Sequence, residues 1–120
     1  MSVSGDTGRR GEEIAAVFLS GEGFEILHRN WRAGRYELDI VARKDGILHV
    51  VEVKSRHAGA LTGPEDAMTR TKFDCLCRAA EAYVCRYGLD VDVQFDLVAV
   101  EFSGDGYQVR YVPNAMVPRW

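Results

Sequence analysis

The chain has 120 residues, 47% of them hydrophobic and 28% charged, which suits one domain over 1–120 with a modest core and leaves little room for a second. No apolar run approaches the about 20 residues needed to cross a bilayer, and the start Met1-Ser2-Val3-Ser4-Gly5-Asp6 carries neither a basic nor an apolar targeting segment, so a cytoplasmic protein without membrane contact is expected. Fifteen basic against 18 acidic residues give a net charge of -3, which argues against a protein that coats nucleic acid nonspecifically.

In chain order, Ile14, Ala15, Phe18 and Leu19 recur at helical spacing and predict a helix over 8–20, with Asp6 and Thr7 as candidate caps and Gly21 and Gly23 behind it. Residues 24–31, 36–43 and 47–54 read as three strands, the last two joined by an Asp45-Gly46 hairpin turn. From Pro64 to Gly88, the stripe Phe73, Leu76, Ala80, Tyr83, Val84 and Tyr87 predicts a second helix. Residues 91–101 and 107–112 read as two more strands. The order α-β-β-β-α-β-β suits a mixed sheet flanked by helices, and Ile40-Val41-Ala42 and Val50-Val51 suggest central strands buried on both faces. Cys75, Cys77 and Cys85 all fall in the second helix; an odd number without a CxxC pair predicts reduced thiols.

Charge is unevenly spread. Residues 1–60 hold nine bases and nine acids, whereas residues 61–120 hold six bases and nine acids. A metal that neutralised some first-half carboxylates would leave the surface around them basic.

The chemistry sits in the 36–54 hairpin. A two-residue Asp45-Gly46 turn sets Asp39 opposite Glu52 and Glu37 opposite Lys54, all four on one face by alternation. Opposed side chains lie about 4.5–5.5 Å apart at Cβ, close enough for two carboxylates to grip one cation. Two facing acids among Leu38, Ile40, Val51 and Val53 destabilise a fold unless compensated. An all-oxygen pair favours Mg²⁺ or Mn²⁺, with Lys54 beside it to hold water or offset phosphate charge. The bland alternative is a cross-strand network in which Lys54 pairs with Glu37 and one acid stays protonated.

Asp39 followed by Glu52-Val53-Lys54 resembles the PD-(D/E)xK signature of restriction-endonuclease-like nucleases, and the element order resembles their core. Further segments extend the likeness: Gly11-Glu12-x-x-Ala15, Arg29-Asn30-Trp31-Arg32, Glu37-x-Asp39-Ile40-Val41-Ala42, Val51-Glu52-Val53-Lys54-Ser55-Arg56, Lys72, Phe95-Asp96-Leu97-Val98-Ala99-Val100 and Asn114-Ala115. Together they resemble the YraN family of bacterial proteins along nearly the whole chain. The order of acids is also similar to archaeal Holliday-junction resolvases. The resemblance implies an α/β restriction-endonuclease-like fold with Glu12, Asp39, Glu52 and Lys54 as catalytic residues and Asp39, Glu52 and Glu12 around Mg²⁺ or Mn²⁺. It departs at Leu38, where a PD motif has proline, and at Tyr36, where the YraN pattern has glycine.

Arg9, Arg10, Arg56, Arg70 and Lys72 flank this constellation as candidate nucleic-acid contacts, and Glu37 supports it. Glu12 shares a stripe with Ala15, Ala16 and Leu19, which turns it toward the sheet and leaves Glu13 in solvent. Alternation puts His49 on the face opposite Glu52. Trp31 and Trp120 suit core packing or a docked terminus better than base stacking. The expected activity is hydrolysis of branched or damaged DNA, and the alternative is a non-cleaving nucleic-acid-binding accessory module. Paired cuts call for two sites, so a homodimer built on the last strand and the apolar tail 112–120 is a further expectation.

Overall fold

Apolar residues on one side of the first segment and two glycine-marked ends produce α1 over Gly5–Gly21 in the computed structural model, which describes residues 5–58 and 69–117. Backbone helix already includes residues 6 and 7, so Asp6 and Thr7 belong to the first turn of α1 and do not precede it. Three strands follow: β1 (Glu25–Ala33), β2 (Tyr36–Lys44) and β3 (Ile47–His57). After them come α2 (Arg70–Tyr87), β4 (Asp92–Ser103) and β5 (Gly106–Met116). The anticipated α-β-β-β-α-β-β order holds. Pro64, proposed as a helix start, lies outside the described residues; the described helix begins behind Thr69, whose hydroxyl accepts from the Lys72 amide at 3.1 Å. At the far end Gly88 caps it in the left-handed region, at φ 62. No helix among the described residues is long and apolar enough to cross a membrane.

The five strands form one sheet in the order β1-β2-β3-β4-β5, antiparallel throughout except for β3 and β4, which run parallel and are joined through α2. Asp45 and Gly46 both take positive φ, 53 and 78, as a tight turn between right-twisting strands demands. Each helix covers one face. Ala15, Ala16 and Leu19 of α1 pack on Ile40, Ala42, Val51, Val98 and Val100. On the other side, Phe73, Leu76, Ala79, Ala80 and Tyr83 of α2 pack on Trp31, Leu38, Val41, Val50 and Phe95. Ile40, Val41, Ala42 and Val51 are fully buried, as central strands with apolar runs require.

Beyond a bulge between Ile26 and His28, strict alternation also fails at the rung of Asn30 and Asp39. Leu38 and Val41 are three residues apart, yet both pack in the α2 core, while Ile40 packs in the α1 core. Across the ladder, His28 and Trp31 both reach tyrosines of α2, although they too are three apart. The hairpin tip from 31 to 38 is therefore turned over relative to the rest of the sheet, with Asn30 and Asp39 at the turning point.

At the same place β2 parts from β3. Their ladder runs from Lys44↔Ile47 only to Ile40↔Val51, whereas β1 and β2 stay paired to Ala33↔Tyr36 and β3 and β4 to His57↔Phe102. The result is a notch between the two halves of the sheet. Asp39 sits at its apex, and its Oδ2 accepts the Val53 amide at 2.9 Å in place of a ladder bond.

A further irregularity lies between β4 and β5, where residues 113–115 stand opposite Asp96 and Asn114 adopts φ 51. Asp96 is fully buried. Its Oδ1 accepts from the Asn114 amide and Gln94, both at 2.9 Å, and its Oδ2 accepts from Tyr111 at 2.7 Å and lies 2.7 Å from His49 Nδ1. This carboxylate ties β3, β4 and β5 together.

Candidate active site

The notch opens into a cleft of about 680 Å³ whose walls come from five elements. Its floor is Asp39 of β2 with Glu52, Val53, Lys54 and Ser55 of β3. α1 contributes Arg9 and Glu12, α2 contributes Lys72, Cys75 and Leu76, and the hairpin tip contributes Asn30, Arg32, Arg35, Tyr36 and Glu37. All four residues expected to act together, Glu12, Asp39, Glu52 and Lys54, line it.

Asp39 and Glu52 meet through their side chains. The two carboxyl groups are close enough that each disfavours ionisation of the other. Burial, then the Glu52 charge, pushes the Asp39 carboxyl up to about 7, against the opposing pull of the Val53 amide. The pair faces as the register arithmetic requires, although the backbone ladder stops one rung short of it.

Lys54 stands beside the two acids, and the alternative network in which it pairs with Glu37 is not formed. Glu37, which strict register sets opposite Lys54, instead lies 3.7 Å from Arg32 of β1, because the hairpin has turned over and carried Glu37 with it. Lys54 Nζ stands 3.9 Å from Glu52 and close to the like charge of Lys72. Burial, followed by contact with Lys72, lowers its pKa, while Glu52 and Asp39 oppose that shift.

Glu12 is brought to the cleft by α1. Burial and the nearby Asp39 raise its pKa, and a hydrogen bond from the Asn30 amide opposes them. Glu13 is the exposed neighbour and pairs with Arg29 at 3.5 Å. α1 can lie this close because Gly11 faces Ser55: a Cβ at Gly11 would fall 1.7 Å from Ser55 Oγ.

The five candidate phosphate contacts divide. Arg9 and Lys72 line the cleft. Arg10 stacks on the Phe102 ring at 4.7 Å, Arg56 sits 3.5 Å from Glu101, and Arg70 sits 3.6 Å from Asp74. Arg32, Arg35 and Asn30 were not anticipated in the cleft. The turned-over hairpin places them there, and alternation alone carries no sign of it. Trp31 is core, donating to Tyr87 Oη at 3.2 Å, while Trp120 lies outside the described residues. The three cysteines are free thiols, Cys75 at the cleft wall.

Among the described residues no three His, Cys, Asp or Glu side chains converge as a ready-made ligand set. The opposed Asp39 and Glu52 offer two hard oxygen ligands, a number that suits Mg²⁺ or Mn²⁺ completed by water and substrate oxygens. On the chemistry of its donors the site fits such an ion.

Fold and site define a mixed α/β protein with an acidic notch cut into its central sheet and a lysine at its side. The chain belongs to the uncharacterised protein family UPF0102, whose pattern matches residues 11–100, the YraN family of the sequence resemblance. It is 37% identical over 118 residues to a UPF0102 protein of Bacteroides thetaiotaomicron, covering 98% of each chain. With a UPF0102 protein of Porphyromonas gingivalis it shares 44% over 106 residues, 88% of this chain and 78% of that one. A UPF0102 protein of Parabacteroides distasonis is 39% identical over 115 residues, 96% of this chain and 95% of that one.

Proposed function

We propose that this protein is a metal-dependent nuclease of the restriction-endonuclease-like kind, hydrolysing phosphodiester bonds in branched or damaged DNA. The observation that carries the reading is the Asp39–Glu52 pair, two opposed carboxyl groups facing one another in a half-buried notch beside Lys54. Such a pair is costly to a fold without an ion and apt for one with it. Bound there, Mg²⁺ or Mn²⁺ would polarise the scissile phosphate and lower the pKa of a water molecule.

The chain's own residues do the rest. Lys54 offers a donor to the phosphate oxygens and offsets charge that develops on them. Glu12 adds a third carboxylate at the α1 wall. Arg9, Arg32, Arg35 and Lys72 form a basic rim over an acidic floor, so a polyanion is held at the edges while its reacting phosphate meets the acids.

The test is cleavage of linear, flapped and four-way-junction DNA in Mg²⁺ or Mn²⁺, with Asp39→Asn alongside. Metal-dependent cutting by wild type, lost in the variant, is expected. DNA binding without any cutting would make the protein an accessory module, and absence of both would remove the reading.

A further inference from the structure

Among the described residues, three that are not glycine adopt positive φ: Asn30, Asp45 and Asn114. Asp45 occupies a hairpin turn, and Asn114 the bulge opposite Asp96. Asn30 has neither setting. At φ 52 it lies inside β1, where L residues other than Asn and Asp rarely take that conformation.

Its consequences are geometric. Arg29, just before it, reaches Glu13 of α1, and Trp31, just after it, reaches Tyr87 of α2. The strand changes faces at this residue. The Asn30 side chain is exposed and lines the same cleft as Glu12, where its amide is placed to donate to the Glu12 carboxylate and favours its charged form. Left-handed backbone alone is met at least as well by glycine, so the amide is the part of Asn30 that backbone geometry does not explain.

We propose that Asn30 is a positioning residue of the cleft, whose left-handed backbone turns the β1–β2 hairpin over and whose side-chain amide fixes Glu12 toward the Asp39–Glu52 pair. This inference rests on the metal-binding reading of those three acids. Without the amide, Glu12 keeps its place on α1 but loses the contact that chooses its rotamer; groups that orient a metal ligand commonly matter as much as this.

The experiment has two arms. In metal-free protein, NMR follows the Asn30 side-chain NH₂ signals: Glu12→Ala is expected to shift them and speed their exchange with water. In the second arm, Mn²⁺ binding is measured by calorimetry for wild type, Asn30→Gly, Glu12→Gln and the double variant, after circular dichroism has shown that each is folded. Asn30→Gly keeps the backbone conformation and is expected to weaken Mn²⁺ binding about tenfold, but by less than about twofold when Glu12→Gln is already present. The same fold loss in both backgrounds, or none in the single variant, overturns the proposal. A wild type that takes up no Mn²⁺ removes the metal reading alone, and the first arm then decides: Asn30 signals unmoved by Glu12→Ala overturn the contact, and moved signals uphold it.

Discussion

Two aspartates, Asp39 and Asp96, each stand where a β ladder breaks, and each uses its carboxylate to replace a lost backbone bond. Asp96 accepts from Asn114 N, Gln94 and Tyr111 and bonds His49, so both of its oxygens are occupied. Asp39 accepts from Val53 N and, among the described residues, is surrounded by the carboxyl groups of Glu52, Glu37 and Glu12. One site is complete within the chain, and the other is short of positive charge. The contrast, together with the full burial of Asp96 and the partial burial of Asp39, separates a structural acid from one suited to chemistry.

The largest expected effect tests the complete site. Asp96→Ala leaves His49, Tyr111, Gln94 and the Asn114 amide without their partner in a buried place, and should cost about 3–5 kcal/mol of stability in urea unfolding. A loss below about 1 kcal/mol would mean that water or the other partners readily replace the carboxylate.

Next comes the approach of α1. Gly11→Ala drives a Cβ into Ser55 and should cost about 1–3 kcal/mol by shifting the helix. Ser55→Gly removes both Oγ and the Cβ that a new methyl would meet at 2.9 Å, so the double variant should recover most of that loss. An additive double variant would place the strain elsewhere.

The incomplete site should show the opposite sign. The folded chain holds the Asp39 carboxyl at about 7 against an ordinary 3.8, so between those pH values it keeps a proton that the unfolded chain has released. That contribution to stability is complete below about pH 4 and disappears as pH rises through 7. Metal-free wild type should therefore lose stability from about pH 4 to 7 through this group. Asp39→Asn should flatten that part of the profile and gain about 1–2 kcal/mol at pH 8. On the proposed function, Mn²⁺ should raise the wild-type melting temperature at pH 8 and leave that of Asp39→Asn unchanged. A variant less stable than wild type at pH 8 would make Asp39 a structural acid like Asp96.

The smallest effects concern the rim. With DNA bound in Ca²⁺, Lys72→Ala and Arg35→Ala should each reduce the slope of log affinity against log salt by about 1. Arg70→Ala and Arg10→Ala, whose side chains are engaged by Asp74 and Phe102, should leave it within error. Equal slopes for all four would detach the cleft from DNA binding.

Local chemistry determined much of this protein. Helical stripes, the Asp45-Gly46 turn and apolar runs at 40–42 and 50–51 are short-range signals, and from them the element order, the buried central strands and the Asp39–Glu52 pairing could be read. Glu12 followed from its place on the apolar stripe of α1. What pattern could not supply was any departure from the pattern: period-two alternation has no term for a left-handed residue, so the turned-over hairpin, the move of Glu37 to Arg32 and the arrival of Asn30, Arg32 and Arg35 in the cleft were decided by tertiary structure. Asp96 shows the same limit from the other side. Its neighbours Phe95 and Leu97 mark a buried strand, but its hydrogen-bonding partners come from residues 49, 94, 111 and 114, brought together only when three strands pair around a bulge that no local spacing announces.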